Sequence, residues 1–453
     1  MATGALRENQ AETQLLAGTA VEEISPAQSI FLAGYPHVRR NSTGIHDPLL
    51  SSALYLESGT ERVMFIANDI IYVPKALVAR ARARIAAAAG ISAAHILISA
   101  THTHSGPKTV NPLATEADEA VPPADVEYLQ FLEEQIVKAG IRAAQHPQPA
   151  EVGLAIADAT GVGTNRRNPS ATKDLQVPVM VVRDLNHRPL AAMLVCSMHP
   201  TVLHEDSTLV SGDFPGLARQ YLQKHVLGEN CVVLYHTGPA GNQSPRHVTR
   251  ANNFAEAERL GRILGEAAEK VIGTIRFQQN IKLQCRQCFA QLPLKIFPSE
   301  AEARAKVEMA LAHLQKLRDS NAPRTDIRTA EVDWFGATET LTLSRAAAEG
   351  RLAQAAQSCL PAEIQALLIG PWTFVAWQGE LFVEFSLEVK KHVAGAFPIS
   401  YANGELQGYL VTEEAVKEGG YESSNAIFKS PDGGRLLVEK TLELLADRCR
   451  DPD

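Results

Sequence analysis

Cysteine is sparse in this chain. The six residues at positions 196, 231, 285, 288, 359 and 449 are too few, in 453, for a disulfide framework. Aromatic residues make up only 6%, and no stripe of them offers a surface for docking on a bilayer. Basic residues are not in excess: the formal charge of -8 and a pI near 6.0 argue against nucleic acid, and against an anionic membrane surface, as the main partner. No apolar run approaches the ~20 residues of a membrane-spanning helix. The opening Met1–Gln10 carries charge and amide where a secretory signal has its apolar stretch. These absences lead to the expectation of a cytoplasmic protein without membrane insertion that acts on a small molecule; a homo-oligomer stays open.

What is present is an ordinary globular composition, 45% hydrophobic, enough to bury a large core. Ser52–Glu57 and Val63–Asp69 read as successive strands, Val73–Ala89 as a helix, and His95–Ala100 as a further buried strand. This is a βαβ pattern with parallel pairing. A helix over Asp125–Ala144 stops at the prolines of His146-Pro-Gln-Pro149. Strands follow at Glu151–Ala157, Val177–Arg183, Leu190–Met198 and Cys231–Tyr235, then a helix over Ala255–Ile275 and a long strand or strand pair over Lys282–Ile296. Helices are expected at Ser299–Lys316 and Thr340–Ser358 around a polar stretch 321–337, two strands about Gly370-Pro371, a helix from Gly379 to about Val393, a strand in Ile399–Thr412 and a last helix over Gly434–Asp447. The fold class is α/β, mixed β-sheets flanked by α-helices. The expected organisation is a polar leader over 1–15 and one catalytic domain over 16–453, allowing a helical insertion at about 298–358.

Several apolar strands discharge into polar, Gly/Pro-rich loops, which is where α/β sheets build sites. After the strand at 95–100 comes Thr101-His-Thr-His-Ser-Gly-Pro107, in which an extended backbone would turn His102 and His104 to the same side. His199 ends another strand, and Glu380 follows a strand and Gly379. Zinc takes about four ligands from His, Cys and carboxylate. No spacing rule joins residues so far apart, and the residues alone reach only a metal site in an α/β domain. Cys285 and Cys288 form a lone CxxC without a second pair, and read as buried or half-buried thiols.

Five segments, taken together, resemble the neutral/alkaline ceramidase family over about residues 18 to 430. They are Thr43-Gly-Ile-His-Asp-Pro48, Ser99-Ala-Thr-His-Thr-His-Ser-Gly-Pro107, Asn165-Arg166, His199-Pro200 and Ala240-Gly-Asn-Gln-Ser-Pro245. The resemblance implies the family's catalytic fold and zinc-dependent hydrolysis of an N-acyl amide by metal-activated water. It implies one Zn2+ held by His102, His199, Glu380 and Tyr409, with Tyr401 as the alternative tyrosine. His104 and Arg166 fall on the substrate side, and Ser244 is nucleophile or positioner. His46, Asp69, Asp213 and Asn242 are candidates for substrate binding. Family members are exported or membrane-facing and carry a further C-terminal β-sandwich domain. This chain is expected to lack that domain and so to take a soluble substrate. Two other readings stay open: a metal-dependent hydrolase of an ester or sugar-derived (glycosidic) substrate, and a non-catalytic, metal-stabilised binding protein.

Overall fold

The structure, a computed structural model, describes residues 14–449. The leader expected over 1–15 falls almost wholly outside them; Gln14 already bridges Asn280, and Leu15 opens the first strand.

The first eight long strands are β1 (Leu15–Glu23), β2 (Leu50–Ser58), β3 (Glu61–Asn68), β4 (Ile96–Ala100), β5 (Gln148–Asp158), β6 (Gln176–Asp184), β7 (Pro189–Cys196) and β8 (Val232–Thr237). They form one mixed sheet in the order β8-β7-β6-β5-β1-β2-β3-β4. A second sheet has the order β9 (Leu283–Ala290), β10 (Ala362–Ile369), β11 (Trp372–Trp377) and β12 (Ala396–Ile399). Most neighbours are antiparallel, but β3/β4, β7/β8 and β11/β12 run parallel. The α/β expectation holds, with a second sheet stacked on the first.

Alternation along the strands explains the layers. In β3, Val63, Phe65 and Ala67 pack between the sheets, while Met64 and Ile66 pack with α1 (Lys75–Ala89) and α2 (Val126–Gln145). In β10, Leu367 and Ile369 face the inter-sheet core, while Ile364, Ala366 and Leu368 join a cluster with α8 (Val383–His392) and α9 (Asp432–Leu444). A strand covered on both faces is apolar throughout, which is why these segments read as continuous hydrophobic runs. On β6 to β8 the outer face is covered by α3 (Asp213–Leu222) and α4 (Phe254–Ile272). Local signals set the helix limits: the Asp125 side chain caps α2 by accepting from Tyr128 N at 2.9 Å, and Gly90, at φ 64°, ends α1. No helix among the described residues is long and apolar enough to cross a membrane.

Two expectations are corrected. The polar stretch 321–337 belongs to α6 (Arg324–Ala348), which pairs with α5 (Glu300–Asp319) and breaks at Gly350, φ 77°, before α7 (Arg351–Cys359). Much of α6 keeps contact with solvent or a cleft, so its sequence lacks the apolar stripe of a core helix. The strand expected over 399–412 survives only as β12 and the two-residue Tyr409–Leu410. Between them the chain leaves its sheet and bonds across the molecule: Ser400 N donates to Thr237 O at 2.9 Å and Asn403 N to Ile98 O at 2.7 Å.

That crossing marks where β4 and β8, the two edges of the large sheet, approach each other. Ser99 Oγ on β4 hydrogen-bonds His236 Nδ1 on β8 at 2.7 Å, and Thr237 Oγ1 donates to Thr101 O at 2.7 Å. The sheet therefore curls until the carboxyl ends of its parallel pairs meet. Burial pushes the His236 imidazole down to about 3, so it stays neutral in the fold. Between pH 6.5 and about 3 the unfolded chain holds a proton that folded His236 does not. Stability is therefore complete above pH 6.5 and falls on acidification, by about 1.4 kcal/mol per pH unit for this one proton. His236→Gln removes that contribution, so its melting temperature, followed by calorimetry from pH 7.5 to 5, is expected to drop less steeply than that of the wild type. Parallel curves would contradict a neutral, buried His236.

Candidate metal centre and active-site cleft

The three parallel strand pairs deliver the residues of the site. His102 follows β4, Tyr72 follows β3, His199 follows β7, the loop Ala240–Ser244 follows β8, and Glu380 follows β11. His102 does not sit on extended backbone as expected. The strand stops at Ala100, and His102 takes φ 64°, a left-handed conformation that costs a non-glycine residue about 1–3 kcal/mol. Its amide donating to Ile70 O at 2.9 Å holds it there. The left-handed turn, rather than the two-residue repeat of a strand, brings His102 Nε2 within 3.2 Å of His104 Nε2.

The tautomers follow from the carbonyls. His102 Nδ1 lies 2.8 Å from Ile71 O and His199 Nδ1 lies 2.7 Å from Ala240 O; a carbonyl only accepts, so each Nδ1 carries the ring proton. The two Nε2 atoms, bare in the neutral rings, then face each other at 3.2 Å. Glu380 Oε2 stands 3.5 Å from His102 Nε2 and 3.2 Å from His199 Nε2. Burial alone would raise the Glu380 carboxyl; positive charge at the two imidazole edges it faces overcomes that and holds the group well below the ordinary range, so with both Nε2 atoms bare the carboxylate calls for a cation between them. Burial, followed by the charge of Arg166, lowers His199 to about 4 against the hydrogen bond to Glu380.

This donor set fits a metal. Ligand atoms around a tetrahedral zinc with Zn–N of ~2.0–2.1 Å lie about 3.3 Å apart. The ligand atoms of His102, His104 and His199 all lie within 4.8 Å of one another. The groups that would orient the ligands are in place as well, with the Ile71 and Ala240 carbonyls behind both buried histidines and the Tyr72 hydroxyl donating to Glu380 Oε1. Tyr401 stacks on His102 with ring centroids 4.0 Å apart and reaches Glu380 Oε2 at 3.5 Å. Tyr409 is the register partner of Glu380 between Glu380–Leu381 and Tyr409–Leu410, and the Arg166 guanidinium lies 5.3 Å from its ring centroid.

A cavity of about 140 Å³ opens on this cluster, with His102, His104, Glu380, Tyr72 and Tyr409 in its wall. Phe31, Ile71, Val110, Pro112 and Val121 give it an apolar side. His104 is the most exposed of the three histidines. Burial and the neighbouring imidazoles hold it well below its usual pKa, and its Nδ1 has no hydrogen-bond partner among the described residues. Arg166 stands behind Tyr409, its Nε paired with Glu422 at 2.8 Å and its Nη2 without a partner among the described residues.

Other candidates are not brought to the cavity. Asn242 is occupied by the fold: its amide donates to Glu384 at 2.9 Å, and its carbonyl accepts from Val383 N at 3.0 Å and Gln243 Nε2 at 3.0 Å. Asp213 accepts from Val202 N and Leu203 N, both at 3.0 Å, bracing the turn that follows His199. Asp69 is buried against Arg219 at 2.8 Å, and His46 stacks on Phe254 with centroids 3.8 Å apart. Each was a polar residue near a strand end; Asn242, Asp213 and Asp69 satisfy backbone or charge inside the protein, and His46, at the surface, pairs with Asp47 at 2.8 Å. Ser244 accepts from Arg246 N at 3.2 Å and follows Gln243, whose carbonyl receives the His199 amide at 3.1 Å; it does not line the cavity. Cys285 and Cys288, three apart on β9, point to opposite faces and hold nothing together. Tyr72 escaped sequence reasoning, although its place just after β3 parallels that of His102 after β4.

Because His199 is held to about 4, protons compete poorly for its Nε2 above that pH, whereas an ordinary histidine competes below about 6.5. An NMR titration of the metal-free protein is expected to show the His199 ring titrating near 4, and a midpoint near 6.5 would contradict the depressed pKa.

Comparisons with known proteins bear on the family and the fold. A family model described as neutral/alkaline non-lysosomal ceramidase, N-terminal, matches residues 16–252. Neutral ceramidase B of Dictyostelium discoideum is 25% identical over 236 residues, 47% of this chain and 32% of that protein. Neutral ceramidase A of the same organism is 25% identical over 240 residues, 49% and 33%. The match thus spans about a third of the length of these curated relatives. Among solved structures, neutral ceramidase from Pseudomonas aeruginosa superposes with a TM-score of 0.72 at 19% identity, over 97% of this chain and 77% of the other. A ceramidase complexed with C2 gives 0.71 at 17%, over 95% and 76%. At these identities the structural likeness speaks for the fold alone. The family model, covering more than half of the residues, carries the assignment: this chain belongs to the neutral/alkaline non-lysosomal ceramidase family.

Proposed function

We propose that the chain is a zinc-dependent hydrolase of N-acyl amides, with His102, His199 and Glu380 holding the metal and Tyr409 beside Glu380 completing the site. The observation that carries this reading is the convergence of two bare Nε2 atoms and a buried carboxylate, at 3.2 to 3.5 Å, on the floor of a cleft with one apolar side. When bound, zinc supplies Lewis acidity and brings the pKa of water towards neutrality.

The remaining steps belong to the protein. His104, on the cavity side and kept neutral, is the base that takes the proton of the attacking water and returns it to the leaving amine as the C–N bond breaks. Arg166, outside the cavity lining, sits against the Tyr409 ring at 5.3 Å and acts from behind it, lending positive charge to the side of the cleft where the oxyanion develops. Tyr72 and Tyr401 orient Glu380, and the Ile71 and Ala240 carbonyls fix both ligand imidazoles in one tautomer. The apolar side suits an acyl chain. Ser244 serves as a positioner, through the loop that holds His199.

The test is hydrolysis of N-octanoyl amides and a short-chain ceramide by zinc-loaded protein. Chelation is expected to abolish turnover and zinc to restore it. His102→Ala and His199→Ala are expected to lose the metal and about 10³-fold or more in kcat/KM. Full activity in either metal-free variant would contradict the reading. His104→Ala separates base from ligand: metal content by mass spectrometry should stay at the wild-type value while kcat falls by roughly 10²–10⁴-fold.

A further inference from the structure

The cleft has a second polar end that this chemistry does not use. Glu339, on α6, is 3% exposed and lines the same cavity as the metal cluster. Its Oε1 accepts from the Tyr421 hydroxyl at 3.4 Å, a long contact, and its Oε2 has no partner among the described residues. Asn425, 7% exposed, lines the cavity beside it, and its Oδ1 likewise lacks a donor. Both orphans are acceptors. A buried acceptor left unmatched is a net penalty to folding, and a purely structural carboxylate would be expected to have found donors. Burial pushes the Glu339 carboxyl up to about 7, against the side chains of Asn425 and Tyr421, which draw it down, while the charges of Asp118 and Glu380 add to the rise. Two buried acceptor atoms, Glu339 Oε2 and Asn425 Oδ1, thus stand in the cavity wall without a donor among the described residues.

We propose that Glu339 and Asn425 form a specificity subsite that receives a hydrogen-bond-donating group of the substrate, a hydroxyl or a protonated amine. The group enters from the cavity, donates to Glu339 Oε2 and Asn425 Oδ1, and gives substrates that carry it an advantage over those that are hydrocarbon throughout. The proposal deepens the amide-hydrolase reading, on which it rests for the identity of the cleft. It adds that one part of the substrate is polar and that α6 reads it.

The experiment measures binding apart from turnover. Ketone isosteres, in which CH2 replaces the amide NH, are made of two matched series and titrated calorimetrically into zinc-loaded protein. One series varies the amine half, as N-octanoyl propylamine, ethanolamine and ethylenediamine; the other ends the acyl half in methyl, hydroxyl or amine. In at least one series a donor-bearing compound is expected to bind at least roughly tenfold tighter than its methyl counterpart, and the hydroxyl and amine arms show which donor is preferred. Glu339→Leu should bring that ratio to within about twofold, Glu339→Gln should keep part of the hydroxyl preference, and Asn425→Leu should lower it if the first variant does not fold. A flat ratio in the wild type, no measurable binding, or a ratio untouched by the variants would overturn the subsite. Absence of amide turnover with the ratio intact would overturn the amidase reading and leave the subsite standing.

Discussion

Two imidazole lone pairs and a carboxylate pressed to within 3.2 to 3.5 Å of one another form an arrangement that repels itself. Each group is an acceptor, each is buried, and the protons that might soften the contact are committed to the backbone carbonyls of Ile71 and Ala240. A fold tolerates such a cluster only if something positive belongs at its centre. The features around it keep the acceptors in place: the left-handed turn at His102, the stacking of Tyr401 on its ring, the Tyr72 hydroxyl on Glu380 and the Asp213 brace behind His199.

Topology makes the cluster reachable. His102 and His199 leave opposite flanks of the eight-stranded sheet and meet because its edges close on each other through Ser99, His236 and the Thr237–Thr101 bond. Glu380 comes from the second sheet, and residues 400–403 tie the two together by bonding to both β4 and β8. Carboxyl ends of parallel strands are the usual address of sites in α/β proteins, and here three parallel pairs from two sheets share one address.

Much of this was legible in the sequence, and the parts that were not share a physical cause. Strands buried on both faces announce themselves as apolar runs, so β3, β4, β7, β8, β10 and β11 could be read with their ends, and with the ends of β4, β7 and β11 came His102, His199 and Glu380. Sheet closure depends on contacts between β4 and β8 that no local pattern records, so sequence alone could not say that those ends meet. His46, Asp69, Asp213 and Asn242 look like site residues in sequence because polar groups near strand ends do either of two jobs, binding ligand or satisfying loop backbone, and hydrogen-bond partners decide which. Helix α6 was half missed for a related reason: a helix that forms a cleft wall keeps polar groups such as Glu339 on its inner side, which erases the stripe by which core helices are found.

The resulting cleft is asymmetric, apolar along Phe31, Ile71 and Val110 and polar at Glu339 and Asn425, with the metal cluster between chemistry and recognition. Anomalous diffraction from crystals of the zinc-loaded protein, collected on both sides of the zinc edge, tests most directly whether the cluster is a metal centre. One strong peak is expected about 2.0–2.1 Å from Nε2 of His102 and of His199, with Glu380 as a further ligand. A crystal soaked in saturating zinc with no peak between those atoms, or with zinc bound only elsewhere, would contradict it.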